Sequence, residues 1–237
     1  MLRLLPAAIL TLLISASSAI AERVVLVELY TSQGCSSCPP ADEILYDLHE
    51  THEDILAISF HVDYWDYLGW KDAFAKPEFT ARQAAYNENL KSKYRLVTPQ
   101  MIFDGRAYVA GGHTIKIFQA FSKAQEGKDL ADLSVSTVGD GDAREVSISL
   151  SAVEGSQPAD VFLVRYAPQR SVKIERGENS GRTLNYLNSV SDWQKIGSWD
   201  GASAAEFTAS LIGEDHAAII VQGEGSGPVY AVRKIKD

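Results

Sequence analysis

Cysteine is nearly absent from this 237-residue sequence, which contains only two, Cys35 and Cys38. A small fold held together by a disulfide framework is therefore excluded, since such frameworks use about four cysteines or more. Basic residues are also few: there are 22 lysines and arginines against 31 aspartates and glutamates, and the formal net charge is −9. Surfaces that bind nucleic acid carry an excess of basic residues, so we predict no nucleic-acid partner.

Long apolar runs are missing after the first residues of the chain. Residues 4–14 are almost wholly apolar, follow Arg3, and lead into small residues that end in an A-x-A motif at 19–21. This pattern is typical of a secretory signal peptide, here residues 1–21, although an uncleaved anchor is the alternative. No later run reaches the ~18 apolar residues of a membrane helix, so we predict no membrane span after cleavage. We expect the mature protein to be periplasmic or secreted, where disulfides persist.

The pattern of apolar residues changes near residue 130. Residues 22–130 alternate short apolar runs with amphipathic stretches, which predicts an α/β domain with the order βαβαββα. Residues 131–237 show an apolar period of two, which predicts an all-β antiparallel sandwich domain. The predicted helices span residues 41–50, 77–94 and 115–124, and the predicted strands of the second part lie at 135–138, 146–150, 161–166, 171–174, 205–211, 217–222 and 229–232.

Chemistry is most strongly indicated by the segment Cys35-Ser36-Ser37-Cys38. It follows the first predicted strand and opens the first predicted helix. At a helix N-terminus, unpaired backbone N–H groups and the helix dipole stabilise a thiolate. We expect Cys35 to be the more exposed thiol and the nucleophile. Cys38, one turn along the helix, would then resolve the mixed disulfide.

Other interpretations of the two cysteines stay open. A purely structural disulfide that closes so short a loop would contribute only ~2 kcal/mol. Two thiolates at this spacing also suit a soft metal such as copper, in a carrier that uses His61 as a further ligand. The thiols could also be unused, in a binding protein without catalytic activity. No resident metal or cofactor is predicted in the leading interpretation.

A second signal lies at residues 97–105, where Pro99 enters a predicted strand. With the helix-opening CxxC motif, this stretch resembles the thioredoxin-like superfamily, glutaredoxins in particular. The resemblance implies a thioredoxin-like fold for residues 22–130 and a cis peptide bond before Pro99. It also implies a substrate surface formed by Thr98, Pro99 and the intervening Ser36 and Ser37, which binds an extended peptide. The implied activity is that of a thiol–disulfide oxidoreductase acting on protein or peptide disulfides, with a second thiol protein as redox partner.

Two polar residues on predicted strands are candidates for proton transfer. Glu28 occupies the place of the buried acid in the thioredoxin strand that precedes CxxC, which implies that it accepts a proton from Cys38. A salt-bridged, structural glutamate is the alternative. His61 ends the second predicted strand, at the sheet edge that also carries Cys35. We expect it to shuttle protons or to stabilise the thiolate, unless ordinary hydrogen bonds of a loop occupy it.

A polar excursion over residues 175–183 interrupts the second part of the chain. It is longer than a sandwich hairpin needs and contains Arg176 and Arg182. We expect Arg182 to reach the CxxC edge and to help bind substrate. A loop that is closed by its own hydrogen bonds is the alternative.

Three segments, residues 28–42, 61–66 and 176–184, resemble a narrower group. They are similar to a secreted bacterial family of unknown function with a thioredoxin-like fold (domain of unknown function 1223). This resemblance spans most of the mature chain. It implies an architecture and assigns no biochemical activity.

Overall fold

The structure, a computed structural model, describes residues 23–139 and 143–235. The predicted signal peptide, residues 1–21, lies outside the described residues. In chain order the elements are β1 (Val25–Thr31), α1 (Pro39–Thr51), β2 (Ile55–His61), a short 3₁₀ helix (Asp66–Leu68), α2 (Pro77–Asn89), β3 (Gln100–Phe103), β4 (Ala107–Ala110), α3 (Thr114–Gln125), β5 (Ala131–Val138), β6 (Ala143–Ala152), β7 (Ala159–Lys173), β8 (Thr183–Trp199), β9 (Ala205–Ile212), β10 (His216–Gly223) and β11 (Val229–Ile235).

Strands from both sides of residue 130 share one mixed sheet of eight strands, in the order β11-β10-β7-β8-β2-β1-β3-β4. β2 runs parallel to β1, and β3 runs antiparallel to β1 on its other side. β8 joins β2 through a parallel pairing of Ser189 with Ser59. The predicted boundary at residue 130 therefore does not coincide with an interruption of this sheet.

A second, three-stranded antiparallel sheet is formed by β5, β6 and β9. Its apolar face packs on the β7–β10–β11 end of the large sheet, where Ile148, Leu163 and Ile219 belong to one core. Alternate residues of these strands face that core, which explains the apolar period of two in the sequence. The thioredoxin-like class of residues 22–130 and a separate sandwich domain at 131–237 stay predictions.

The helices cover both faces of the β1–β4 end of the large sheet. Leu29 of β1 packs with Leu45 of α1 and with α3, whereas Tyr30 packs with α2 on the other face. Successive side chains of a strand point to opposite faces. Odd-numbered residues of β1 therefore face α1, and even-numbered residues face α2. Among the described residues, no helix has the length and apolar character needed to cross a membrane.

Two helix boundaries follow from local backbone chemistry. α1 begins at Pro39, two residues before the predicted start, with proline in its first turn, where a missing N–H group costs no hydrogen bond. α2 ends at Asn89, short of the predicted Tyr94, and Lys91 then adopts a positive φ of 50°. A left-handed residue of this kind is incompatible with a continuing α-helix.

Candidate functional site

Cys35 and Cys38 form a disulfide at the N-terminus of α1, with their Cα atoms 5.4 Å apart. The Cys35 amide donates a 3.1 Å hydrogen bond to the carbonyl of Ser32, and the Cys38 amide donates to the carbonyl of Cys35 at 3.2 Å. Two successive turns therefore lead the chain from β1 into the helix. The motif is placed as predicted, between the first strand and the first helix.

Both cysteines are fully buried, with 0% of their surface exposed. This corrects the expectation that Cys35 is the more exposed thiol. Ser36 and Ser37 between them are exposed, and the Ser37 hydroxyl lies 3.4 Å from the sulfur of Cys35. The solvent-facing part of the motif is its serine pair.

The predicted polar excursion lies against the motif, and we call residues 175–182 the strap. Asn179, only 1% exposed, donates from Nδ2 to the carbonyl oxygens of Gln33 and Cys35, each at 3.0 Å. Its amide oxygen accepts a 3.0 Å hydrogen bond from Nη1 of Arg182. Arg182, predicted to bind substrate, therefore orients Asn179 in this structure.

The tip of the strap also contacts the serine pair. The carboxylate of Glu178 accepts a 2.6 Å hydrogen bond from the Ser36 hydroxyl and a longer one, at 3.4 Å, from the Ser36 amide. The base of the strap is closed by 2.8 Å hydrogen bonds from the Ile174 amide to the Arg182 carbonyl and from the Gly181 amide to the Ile174 carbonyl. The strap is therefore both closed by its own hydrogen bonds and attached to the motif.

A tryptophan lies on the other side of the motif. Nε1 of Trp65 donates a 2.7 Å hydrogen bond to the hydroxyl of Thr98, and the Thr98–Pro99 peptide bond is cis, as the resemblance implied. A Cβ atom added to Gly34 would lie only 3.0 Å from Cβ of Trp65. Trp65 thus lies between the Pro99 loop and the residue before Cys35. Sequence analysis missed this role, although the glycine before the motif indicated close packing.

Glu28 is buried on the face of the sheet that α2 covers, opposite α1. Arg82 binds both of its carboxylate oxygens, with Nε and Nη2 each at 2.9 Å, and the Tyr86 hydroxyl donates to it at 2.5 Å. Its neighbours in β1, Val27 and Leu29, are the residues that face α1. We therefore do not keep the prediction that Glu28 accepts a proton from Cys38, because the sheet separates the two side chains.

His61 contacts the motif only through intermediates. Its Nδ1 lies 2.7 Å from Oδ2 of Asp72, which also accepts a 2.8 Å hydrogen bond from the Gln33 amide. Burial acts to raise the pKa of Asp72, but attraction to His61 and the hydrogen bonds outweigh it and lower that pKa. The His61–Asp72 pair therefore holds the loop that precedes Cys35.

Five buried polar atoms near the motif have no hydrogen-bond partner within the described part of the chain: Oγ1 of Thr31, Nε2 of Gln33, Oδ1 of Asp42, Nε2 of His61 and the Tyr186 hydroxyl. Thr31 pairs with His61 across β1 and β2, and the His61 and Tyr186 ring centroids are 4.4 Å apart. Unpaired buried polar atoms are rare in folded proteins and often belong to functional sites or hydrated cavities. Together they form a polar region beside the disulfide.

Asp42, which the sequence analysis did not select, lies one helical turn after Cys38. Its amide donates a 3.1 Å hydrogen bond to the Cys38 carbonyl. Burial raises the pKa of the Asp42 carboxyl well above its usual range, and the nearby Thr31 hydroxyl lowers it only in part, without closing a hydrogen bond. Asp42 and Tyr186 line a cavity of about 540 Å³ that opens beside Pro39.

A metal site on the two cysteines and His61 is not assembled in this structure. The sulfur atoms are bonded to each other, and Nδ1 of His61 is occupied by Asp72, which leaves only its Nε2 unpaired. Over residues 23–139 and 143–235, no three histidine, cysteine, aspartate or glutamate side chains are grouped so that they could hold a metal ion.

Comparison with solved structures gives an extensive match to an uncharacterised protein. The crystal structure of protein AGR_C_4864 from Agrobacterium tumefaciens is 35% identical, with 89% of this chain and 92% of that chain covered and a TM-score of 0.68. A β-glucosidase from Kluyveromyces marxianus matches at 12% identity over 46% of this chain and 14% of its own, with a TM-score of 0.25. β-Glucosidase 3B from Thermotoga neapolitana matches at 8% identity over 45% and 16%, with a TM-score of 0.24. Neither β-glucosidase match supports an inference about this protein.

No curated protein matches the sequence. Residues 26–222 match the family model described as "Protein of unknown function (DUF1223)". This match covers most of the chain, including the CxxC motif, the Pro99 loop and the strap. The chain therefore belongs to the DUF1223 family.

Proposed function

We propose that this protein is an exported thiol–disulfide oxidoreductase that exchanges disulfides with protein or peptide partners through Cys35 and Cys38. The observation that carries the proposal is the disulfide at the N-terminus of α1, beside a buried polar region. Unpaired buried polar atoms also occur elsewhere in the described residues, at Ser189 for example, but those beside the disulfide include a carboxyl oxygen of Asp42, which can exchange a proton. The Pro99 loop enters β3, the neighbour of β1, which supports a peptide-binding surface at the same edge.

From the oxidised state, the reaction begins with a thiolate of a dithiol partner, which attacks the sulfur of Cys35. The Cys35–Cys38 bond breaks, a mixed disulfide forms between the partner and Cys35, and Cys38 leaves as a thiolate. The partner's second thiolate then attacks the mixed disulfide and releases Cys35. Two electrons pass from the partner to the CxxC pair, and the partner leaves as a disulfide. The reverse sequence reduces a partner disulfide.

We propose that Asp42 transfers the proton to and from the Cys38 sulfur. Positions four apart on a helix share a face, so Asp42 lies along α1 from Cys38 on the same side. Burial raises the pKa of Asp42, so the neutral acid can donate its proton to the departing Cys38 thiolate. The carboxylate then regains a proton from solvent through the cavity that it lines. In the reverse direction it accepts the proton of Cys38.

The proposal is tested by reduction of insulin disulfides in the presence of a thiol donor. Wild type should accelerate the reaction, whereas Cys35→Ser should lose that activity because no nucleophile remains to form the mixed disulfide. Ser151→Ala, an exposed change on β6 far along the chain, is the matched control and should behave as wild type. Equal rates for wild type and Cys35→Ser would refute the proposal.

A further inference from the structure

We infer that Glu178 and Asn179, at the tip of the strap, are specificity-determining residues. They form hydrogen bonds with the backbone and side-chain groups beside Cys35 that would otherwise bind a peptide. An extended polypeptide partner must displace them to reach the sulfur. The inference rests on the proposed function. It gives the second part of the chain a role in the redox site.

Asn179 forms a complete contact in the closed structure. It is almost fully buried, its Nδ2 donates to the carbonyls of Gln33 and Cys35, and its oxygen accepts from Arg182. A surface loop that touched the motif by chance would leave part of this amide to solvent. An amide with both its donor and its acceptor occupied is typical of a selected contact.

The groups that the tip occupies are those an extended peptide uses. Asn179 donates hydrogen bonds to the carbonyls of Gln33 and Cys35. Glu178 accepts hydrogen bonds from the amide and the hydroxyl of Ser36. A peptide that binds by backbone pairing supplies N–H donors to such carbonyls and a carbonyl or carboxylate to such donors. The partner class is therefore an extended segment with an acceptor group opposite Ser36.

The strap is built so that its tip can move while its base stays. Ile174 is fully buried with Leu184 and Tyr186, which fixes the base on the sheet. Gly177 and Gly181, at φ values of 78° and 82°, flank the tip. Glycine adopts such backbone angles without steric cost and allows other angles equally well, so it serves as a hinge at each side.

The closed tip should protect the disulfide from small thiols. Dithiothreitol offers no groups that replace the Asn179 and Glu178 contacts, so its attack on Cys35 must wait for the strap to open. Asn179→Asp keeps the size but replaces the donor by an acceptor. We expect it to speed reduction of the oxidised protein by dithiothreitol about tenfold or more, as the loss of two hydrogen bonds predicts.

Stopped-flow reduction of the oxidised full-length mature protein tests the inference. We expect Asn179→Asp and Glu178→Gln to raise the rates with dithiothreitol and with an unstructured dithiol peptide by the same factor, because both reagents start from the closed strap that these variants weaken. Glu175→Gln, an exposed residue at the base of the strap, should match wild type. A purely structural role for Asn179 would lower the unfolding free energy of Asn179→Asp in urea and leave both rates of Glu178→Gln at the wild-type value, and this result would overturn the inference.

The two proposals fail in different ways. If both tip variants reduce at the wild-type rate with dithiothreitol, the tip does not guard Cys35, even where insulin reduction depends on Cys35. If the tip variants react faster but Cys35→Ser retains insulin reduction, the tip of the strap does protect the disulfide, and the proposed oxidoreductase activity is wrong. Glu178 is exposed, so its variant gives a result even if Asn179→Asp fails to fold.

Discussion

Arg82 binds Glu28 in a bidentate ion pair, and both side chains are buried. The same guanidinium donates to the side-chain oxygen of Gln222 in β10 at 2.9 Å and lies 3.7 Å from the ring centroid of Trp193 in β8. The pair therefore ties β1 and α2 to strands from the second part of the chain. Its position on the face opposite α1 separates it from the Cys35–Cys38 disulfide.

The first prediction follows from this separation. Glu28→Gln removes the charge that balances Arg82 in a buried site, which should cost about 3–5 kcal/mol of unfolding free energy. The reduction potential of the Cys35–Cys38 pair should stay unchanged. Urea denaturation of the oxidised protein and a redox titration measure the two quantities.

Lys195→Ala is the control for the ion pair, because Lys195 pairs with Asp160 while half exposed. An exposed pair of this kind contributes about 0–1 kcal/mol. A Glu28→Gln variant that loses no more stability than Lys195→Ala would contradict the structural role. A Glu28→Gln variant with a shifted reduction potential would show that Glu28 acts on the Cys35–Cys38 pair.

The second prediction concerns the dependence of stability on pH. Because burial raises the pKa of Asp42, the folded protein keeps this proton at pH values where the unfolded chain has lost it. The stability that the bound proton contributes is complete below about pH 4 and is lost as pH rises through the folded pKa. Asp42→Asn has no proton to lose there. The unfolding free energy of Asp42→Asn should therefore increase relative to that of wild type as pH rises above about 4.

Urea titrations of the oxidised proteins across this range test the sign. Glu50→Gln, a change at an exposed residue near the end of α1, is the control for loss of one acidic residue. A difference between Asp42→Asn and wild type that stays constant with pH would show that Asp42 does not hold a proton in the folded protein.

The third prediction concerns the catalytic role of Asp42. Without an acid beside Cys38, departure of that thiolate goes unassisted, and insulin reduction by Asp42→Asn should fall by about 10²-fold. Glu50→Gln should keep wild-type activity. An unchanged rate for Asp42→Asn would remove Asp42 from the mechanism while leaving the cysteines in place.

The fourth prediction concerns the contact between Gly34 and Trp65. Gly34→Ala places a methyl group 3.0 Å from Cβ of Trp65, which must shift away from its hydrogen bond to Thr98. We expect a loss of about 1–3 kcal/mol of unfolding free energy. Gly112→Ala, whose added methyl would meet its nearest atom at 3.8 Å, is the matched glycine control and should cost less. Equal losses for the two variants would contradict the packing role of Trp65.

Local patterns predicted much of the secondary structure. The helices predicted at residues 41–50, 77–94 and 115–124 overlap α1, α2 and α3, because short-range periodicity determines them. β8, residues Thr183–Trp199, was missed. Its asparagines, serines and aspartate hide the alternation, and its place between β7 and β2 depends on partners distant in sequence. This long-range pairing, which no local pattern encodes, continues the sheet across residue 130.

The candidate site was predicted in part for the same reason. The CxxC motif was visible in the sequence because nearby residues carry it, whereas the cis bond before Pro99 was implied only by the resemblance to thioredoxin-like proteins. The face on which the Glu28 side chain lies could not be predicted, because the alternation of a strand shows which residues share a face but not which face packs on α1. Asp42 was overlooked although it follows Cys38 by one helical turn. Asn179 was not predicted to touch Cys35, since that contact joins residues 144 positions apart.

The most direct test of the central claim is capture of a mixed disulfide by each single-cysteine variant. Reduced Cys38→Ser keeps the nucleophile but cannot resolve, so it should accumulate a covalent adduct with a disulfide-bonded peptide, visible by intact-mass spectrometry. Reduced Cys35→Ser should form little adduct over the same time. Equal accumulation by both variants, or none by either while each remains folded, would contradict the account of Cys35 as the attacking thiol.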